Sequence, residues 1–320
     1  MAPVVSILIP CYNAERWVAQ AIESALSQTW PEKEVIVVDD GSSDASLNII
    51  KSFGDRVRWE TGPNCGGNVA RNRLLELARG KWLQYLDADD YLLPQKITQQ
   101  MEFIAVNPTA DVVFGPSTIE HCAIGDTRRE LLPIPKPHDL WILLARWYLP
   151  QTGAALWRKQ AIVDVGGWKP DQPCCQEHEL YLRLLMAGKR FAYCEDNGAI
   201  YRHWGENTLW RGNVPEVIRR RLEIEKHAED FLRSANALTP ERQYAINMAR
   251  FETARTAWRY NPVFAREIMR QVRMNQPEFI PTGAAAPSHY RVIYRLFDFS
   301  VAQRLAQLKA RLKTWIRDKY

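Results

Sequence analysis

Two apolar runs of strand length end on clustered carboxylates. Glu34-Val35-Ile36-Val37-Val38-Asp39 leads into Asp40, and Trp82-Leu83-Gln84-Tyr85-Leu86 leads into Asp87-Ala88-Asp89-Asp90. Apolar runs without alternation are strands buried on both faces, which occur where helices cover a parallel sheet. The sequence around them agrees. Val4 to Ile9 reads as a first buried strand, and residues 14–28 carry Val18, Ala21, Ile22, Ala25 and Leu26 at helical spacing with Asn13 as cap. A short helix bearing Leu47 and Ile50, a strand at 57–59 and a helix near 69–79 follow. Such alternation specifies an α/β fold with a mostly parallel central sheet and helices on both faces. Ligands gather beyond the carboxyl ends of strands in these sheets, so both acidic clusters would face one crevice.

The pattern continues with a helix at 96–106 and a strand at 111–114, then loosens into an interval with Pro133, Pro135 and Pro137 that reads as loop. Ala154-Ala155-Leu156-Trp157 reads as a strand, Gly166-Gly167 as a tight turn and 176–187 as a helix. Residues 190–194 and 199–201 read as short closing strands. Beyond about 210 only helical patterns remain, at 215–235, 241–259 and 263–274, punctuated by Pro240 and Asn261-Pro262. The expected organisation is a catalytic α/β domain over 1–210, a helical extension over 211–280, and a hinge with a basic amphipathic segment over 281–320.

Composition narrows the function. The chain has 320 residues, 46% hydrophobic and 25% charged, which suits a globular fold. Its six cysteines form no CxxC pair and its six histidines are scattered, so neither a zinc knuckle nor a disulfide framework is written here; a reducing, cytoplasmic setting is expected. Val4 to Ile9 is too short for a signal peptide core or a spanning helix. The net charge of +5 is uneven: residues 211–320 hold 21 basic and 11 acidic side chains, leaving 21 basic and 26 acidic for 1–210. No GxxxxGK[ST] and no GxGxxG follows the first strand, which argues against P-loop hydrolysis and hydride transfer.

The clusters themselves suggest chemistry. Side chains alternate along extended backbone, so Asp87 and Asp89 can point into one crevice as oxygen donors for a hard divalent ion bridging a diphosphate. An acidic strand-to-turn boundary without a ligand would use the same letters. Asp39 could accept hydrogen bonds from a base or ribose, although Asp-Gly and Ser-Ser are also ordinary turn chemistry. Without a glycine-rich cradle the phosphates would be neutralised mainly by the metal, together with basic side chains such as Arg71. Glu177, in the first turn of the 176–187 helix, is a candidate general base, with Glu179 and His178 as rivals.

Val5 to Asn13 (VSILIPCYN), Val37 to Ser43 (VVDDGSS), Asn64 to Asn72 (NCGGNVARN) and Leu86 to Asp90 (LDADD), in this order and spacing, strongly resemble the inverting family 2 glycosyltransferases of GT-A fold. The resemblance is specific over residues 3–95 and looser to about 210. It implies sugar transfer from a nucleoside diphosphate-sugar, usually UDP-linked, to a hydroxyl acceptor in glycan, polysaccharide or glycolipid synthesis, with Mn²⁺ or Mg²⁺. Asp39 then matches the nucleoside contact, Ile9, Pro10 and Tyr12 the segment lining the base, and Asp89 the metal ligand, with Asp87 near ribose and metal. Asp90 would shape the acceptor side. The family's Glu-Asp-x-Asp-Leu motif stands here as Gln176-Glu177-His178-Glu179-Leu180, which transfers the base role to Glu177. His203 could approach the diphosphate or metal, and Trp204 could stack on a sugar.

Two other readings use the same letters: a non-catalytic nucleotide-sugar or glycan-binding module, marked by the departure at Gln176, and a nucleotidyltransferase making sugar nucleotides. The basic C-terminal segment can cover a domain or homo-oligomer surface, or rest as a peripheral contact on the inner face of a membrane. No recognition motif for nucleic acid accompanies its charge.

Overall fold

In the computed structural model, residues 4–123, 126–136, 139–196, 198–204 and 213–317 are described. The chain forms two compact units, residues 1–144 with 148–212, and residues 145–147 with 213–320.

The first unit begins with β1 (Val5–Cys11), α1 (Val18–Leu26), β2 (Lys33–Asp39), α2 (Ser46–Ser52), β3 (Arg58–Thr61), α3 (Gly67–Leu77) and β4 (Trp82–Tyr85). It continues through β5 (Tyr91–Leu92), α4 (Lys96–Val106), β6 (Val112–Phe114), β7 (Ser117–Ala123), β8 (Asp126–Leu132) and α5 (Leu140–Ala145). It closes with β9 (Ala155–Arg158), α6 (Lys159–Asp164), α7 (Gln176–Met186), β10 (Phe191–Tyr193) and β11 (Ala199–Trp204). The main sheet has the order β10-β6-β9-β4-β1-β2-β3. β1 lies at its heart, parallel to β2 and β4, with Val5, Ile7, Leu8 and Ile9 fully buried. α1 lays Val18, Ala21, Ile22 and Ala25 against this sheet, and each large apolar side chain buried there contributes about 1.5–3 kcal/mol.

β9 runs antiparallel between β4 and β6. Its Trp157 is fully buried, stacks on Tyr181 of α7 at 5.0 Å and meets Trp168 at 6.4 Å, so it ties α7 to the sheet. A second sheet has the order β5-β11-β7-β8; its β11 begins where a closing strand is expected at 199–201, while the antiparallel pair β7 and β8 stands in the interval that local pattern leaves unassigned. This is the mostly parallel sheet with flanking helices expected of a GT-A fold.

Asn13 does not cap α1, which starts at Val18. Its φ is +48°, and its side-chain oxygen accepts from the Ser43 backbone N–H at 2.8 Å, pinning the loop after β2.

The second unit is helical: α8 (Val214–Ser234), α9 (Pro240–Ala257), α10 (Pro262–Asn275), α11 (Ser288–Leu296) and α12 (Phe299–Arg317). Asn213, Thr239 and Asn261 cap the first three through side-chain oxygens, each with proline in the first turn. Phe251 is fully buried, with the rings of Phe279, Tyr290, Tyr294 and Phe299 between 5.9 and 6.2 Å from it. The segment after Pro281 therefore shares one core with α9 and α10, and it forms two helices rather than one; residues 318–320 lie outside the described residues. Among the described residues no helix is long and apolar enough to cross a membrane.

Candidate active site

β2 and β4 flank β1, so Asp39 at the end of β2 and Asp87 just past β4 stand on either side of Pro10-Cys11. Two strand spacings put their backbones about 10 Å apart. Tyr12 follows with its ring half exposed, while Pro10 is half-buried.

The two acids at the end of β2 have separate work. Asp39 is buried and accepts a 2.7 Å hydrogen bond from the Thr61 hydroxyl. Asp40 accepts from the backbone N–H groups of Cys65 and Gly66 at 2.8 and 2.9 Å, which clasps the loop entering α3. Gly41 lies between, at φ +74°, where a Cβ would stand 2.7 Å from the Asn64 backbone nitrogen. Only glycine fits there without displacing the loop.

α3 carries the next group of contacts. Arg71 pairs with Asp87 at 2.7 Å and lies 5.0 Å from the Trp168 ring. Asn68 donates to the carbonyls of Lys169 and Gln172, and Asn72 bonds both backbone groups of Trp168. This face of α3 thus holds the loop 168–172 that leads into α7, and the phosphate-neutralising residue expected at 71 is also the partner of Asp87.

At the start of α7 the three rivals separate. Glu179 is buried and bonded by Lys169 at 2.7 Å and by Arg183 through both oxygens. His178 is buried, with Nδ1 3.9 Å from Glu177. Glu177 keeps a quarter of its side chain exposed. Burial pushes its carboxyl up, but the neighbouring His178 first, and then its own backbone N–H and the charge of Arg71, hold it below the usual carboxylate range. It is therefore ionised at neutral pH.

β11 of the second sheet meets the acidic turn. Asp89 accepts from the Trp204 indole at 3.1 Å, and its carbonyl accepts from Arg202 at 3.0 Å. Burial first, and then the charge of Asp87, push the Asp89 carboxyl up. Asp90 is buried and accepts from the Arg202 backbone N–H at 2.8 Å; burial and the charges of Asp89 and Asp87 push it well up. Asp90 thus holds the backbone of β11 in place beside the acidic turn. The Arg202 guanidinium sits between the rings of Trp17 and Tyr91, at 4.6 and 4.4 Å.

His203 lies in β11 against the rings of Tyr201 and His121, at 5.0 and 5.4 Å. The β11 side chain on Asp89 is its neighbour Trp204. Tyr201, which the sequence does not single out, lies within reach of the charge of these acids. Burial and then the charges of Asp90, Asp87, Asp89 and Glu177 push its phenol up. A tyrosine in a strand carries no local signal of that placement.

Asp87 has one oxygen on Arg71 and Asp89 one on Trp204, which leaves each a second oxygen. Two adjacent hard carboxylates, one of them pushed toward protonation partly by the other, suit a divalent cation whose remaining ligands are diphosphate oxygens and water. Among the described residues no group of three histidines, cysteines or acids is arranged to hold a metal.

Residues 6–164 match the model of glycosyl transferase family 2. An uncharacterized glycosyltransferase of Haemophilus influenzae is 34% identical over 146 residues, 44% of this chain and 57% of that protein. The matched segment spans less than half of other curated relatives, including an uncharacterized glycosyltransferase of Rickettsia prowazekii of which it spans 35%. Among solved structures, S. aureus TarS 1-349 in complex with UDP-GlcNAc superposes with a TM-score of 0.63 at 16% identity, covering 97% of this chain and 92% of that one. The mannosyltransferase PcManGT from Pyrobaculum calidifontis, in complex with GDP-Man and Mn²⁺, does so at 0.52 and 17%, covering 87% and 82%.

Proposed function

The chain belongs to glycosyl transferase family 2, and from that premise we propose that it transfers a sugar, with inversion, from a nucleoside diphosphate-sugar to a hydroxyl acceptor. The observation that carries this reading is Glu177: it is the partly exposed acid in the first turn of α7, held ionised chiefly by the neighbouring His178 and to a lesser degree by the charge of Arg71, which pairs with Asp87.

Tyr12 and Pro10 would line the base, and Asp39 would accept from the nucleoside with the lone pairs that Thr61 leaves open. Arg71 would stand at the diphosphate with its other face on Trp168. Asp87 and Asp89 would hold Mn²⁺ or Mg²⁺, which when bound offsets negative charge on the departing diphosphate. Glu177 would take the proton of the acceptor hydroxyl as its oxygen attacks the anomeric carbon opposite the leaving group. His203, beside Tyr201 and His121, would approach the diphosphate or metal. The partners of this reading are the nucleotide-sugar donor and a glycan, lipid-linked or other hydroxyl acceptor. TarS with UDP-GlcNAc and PcManGT with GDP-Man and Mn²⁺ support both donor type and metal; a UDP-linked sugar is the first donor to try.

The test is calorimetric titration of UDP and GDP with and without Mn²⁺, for wild type, Asp89→Ala and Glu177→Gln. Metal-dependent binding of one nucleotide, lost in Asp89→Ala and kept in Glu177→Gln, is expected. Glu177→Gln should slow transfer by about 10²–10⁴-fold. No nucleotide binding with any metal, or full turnover in Glu177→Gln, would sink the proposal.

A further inference from the structure

The second unit carries a site of its own. A cavity of about 370 Å³ opens between α10 and the start of α12, lined by Arg266, Arg270 and Arg273 on one side and by Asp298 and Phe299 on the other, with Met274 among its lining residues. Arg270 is held by Glu267 at 2.8 Å. Arg266 and Arg273 have no carboxylate partner among the described residues; each lies over a ring instead, Trp258 at 6.0 Å and Tyr294 at 5.8 Å. Asp298 has one oxygen on the Val301 backbone N–H at 2.8 Å, capping α12. The cavity therefore presents two guanidinium groups that rest on aromatic rings and have no carboxylate partner among the described residues.

Its rim is apolar and exposed. Leu296 and Phe297, consecutive residues at the corner between α11 and α12, are 70% and 66% exposed, and Met274 is 70% exposed. Phe299, two residues on, is buried in the aromatic core, so the corner is anchored while Leu296 and Phe297 project. Residues 262–275 and 288–309 together hold seven Lys or Arg against two acids, Glu267 and Asp298. Bulky apolar side chains at a corner, beside these arginines on a strongly basic surface, complement a layer with negative head groups over hydrocarbon.

We propose that this corner docks the protein on an anionic phospholipid surface, with Leu296 and Phe297 entering the acyl boundary and the Arg266–Arg273 cavity taking a lipid phosphate. The docking needs nothing from the donor site, so its outcome is separate from that of the proposed transfer reaction.

The experiment is co-sedimentation of the full chain with vesicles of phosphatidylcholine alone or mixed with phosphatidylglycerol, at low and high salt. Wild type is compared with Leu296→Ser/Phe297→Ser and with Arg266→Glu/Arg273→Glu. Binding to the mixed vesicles alone is expected, weakened by salt and lowered on the order of tenfold in either variant. The serine pair replaces exposed side chains and should melt at the wild-type temperature, so it carries the test if the arginine pair loosens the fold. Inorganic phosphate at matched concentration should not displace the vesicles; displacement would mean that the cavity takes free phosphate and would overturn lipid docking. Equal binding to neutral vesicles, no binding, or full binding by the serine pair would each overturn it. So would a concentration-dependent dimer in sedimentation velocity that the serine pair abolishes, since a second copy would then be the occupant.

Discussion

Lys96 offers a quantitative check on the interior of the first unit. Its side chain is buried, with the ammonium on the side-chain oxygens of Gln84 and of Gln100, the latter at 2.8 Å. Burial depresses its pKa from 10.5 to about 8. Below about pH 8 folded and unfolded chains both hold the proton, and the cost of the buried charge is constant. Between about 8 and 10.5 only the unfolded chain still holds it, so stability contributed by this group rises with pH. The full rise is about 3 kcal/mol, of which about 2 kcal/mol falls between about pH 7.5 and 10. Other groups move the opposite way. Burial pushes the Cys11 thiol to about 12 and Cys194 to about 11, and raises the phenols of Tyr85 and Tyr181, so the folded state keeps protons that the unfolded state loses. The quantity to measure is therefore the urea-unfolding free energy of wild type minus that of Lys96→Met at the two pH values. Met has similar length, and the amide oxygens it strands do not titrate, so their cost cancels. A difference that stays flat, or falls, with rising pH would refute the burial of a charged lysine beneath β4.

Gly41→Ala should destabilise the first unit by roughly 2 kcal/mol or more in urea unfolding, because its backbone is left-handed and the new methyl meets the backbone of Asn64. A loss below about 0.5 kcal/mol would mean that the loop yields freely. Trp204→Phe removes the indole N–H from Asp89, whose carboxyl burial already pushes up. Mn²⁺ affinity measured with UDP should drop more at about pH 6 than at about pH 8, since a carboxyl pushed further up is protonated first at the lower pH.

The strand-end acids were legible because their signal is local: an apolar run stops at a carboxylate, and both Asp39 and Asp87 stand where that pattern puts them. The division of labour between Asp39 and Asp40 was not, because it is set by which one meets the amides of Cys65 and Gly66, some 25 residues away. The β7–β8 hairpin escaped notice since β8 is largely exposed and shows no apolar alternation. The antiparallel β9 reads like any buried strand, as local composition carries no direction. Glu177 could be singled out from its place in the first turn, and Arg183 meets Glu179 one turn along the same helix, but Lys169, which also ties up Glu179, reaches it through the fold.

The strand that completes the acidic turn arrives late. Asp90 waits for the Arg202 backbone N–H across 112 residues, and Asp89 for Trp204 across 115. At about 5–20 residues per second, a ribosome needs roughly 6–22 s to cover that interval. Through that time a carboxylate destined for the interior stays hydrated and charged, and the turn cannot close over it. The order of synthesis therefore makes β11 the last clasp of the first unit. A chain stopped before Trp204 would present an open, strongly acidic edge, a natural target for chaperones and proteases.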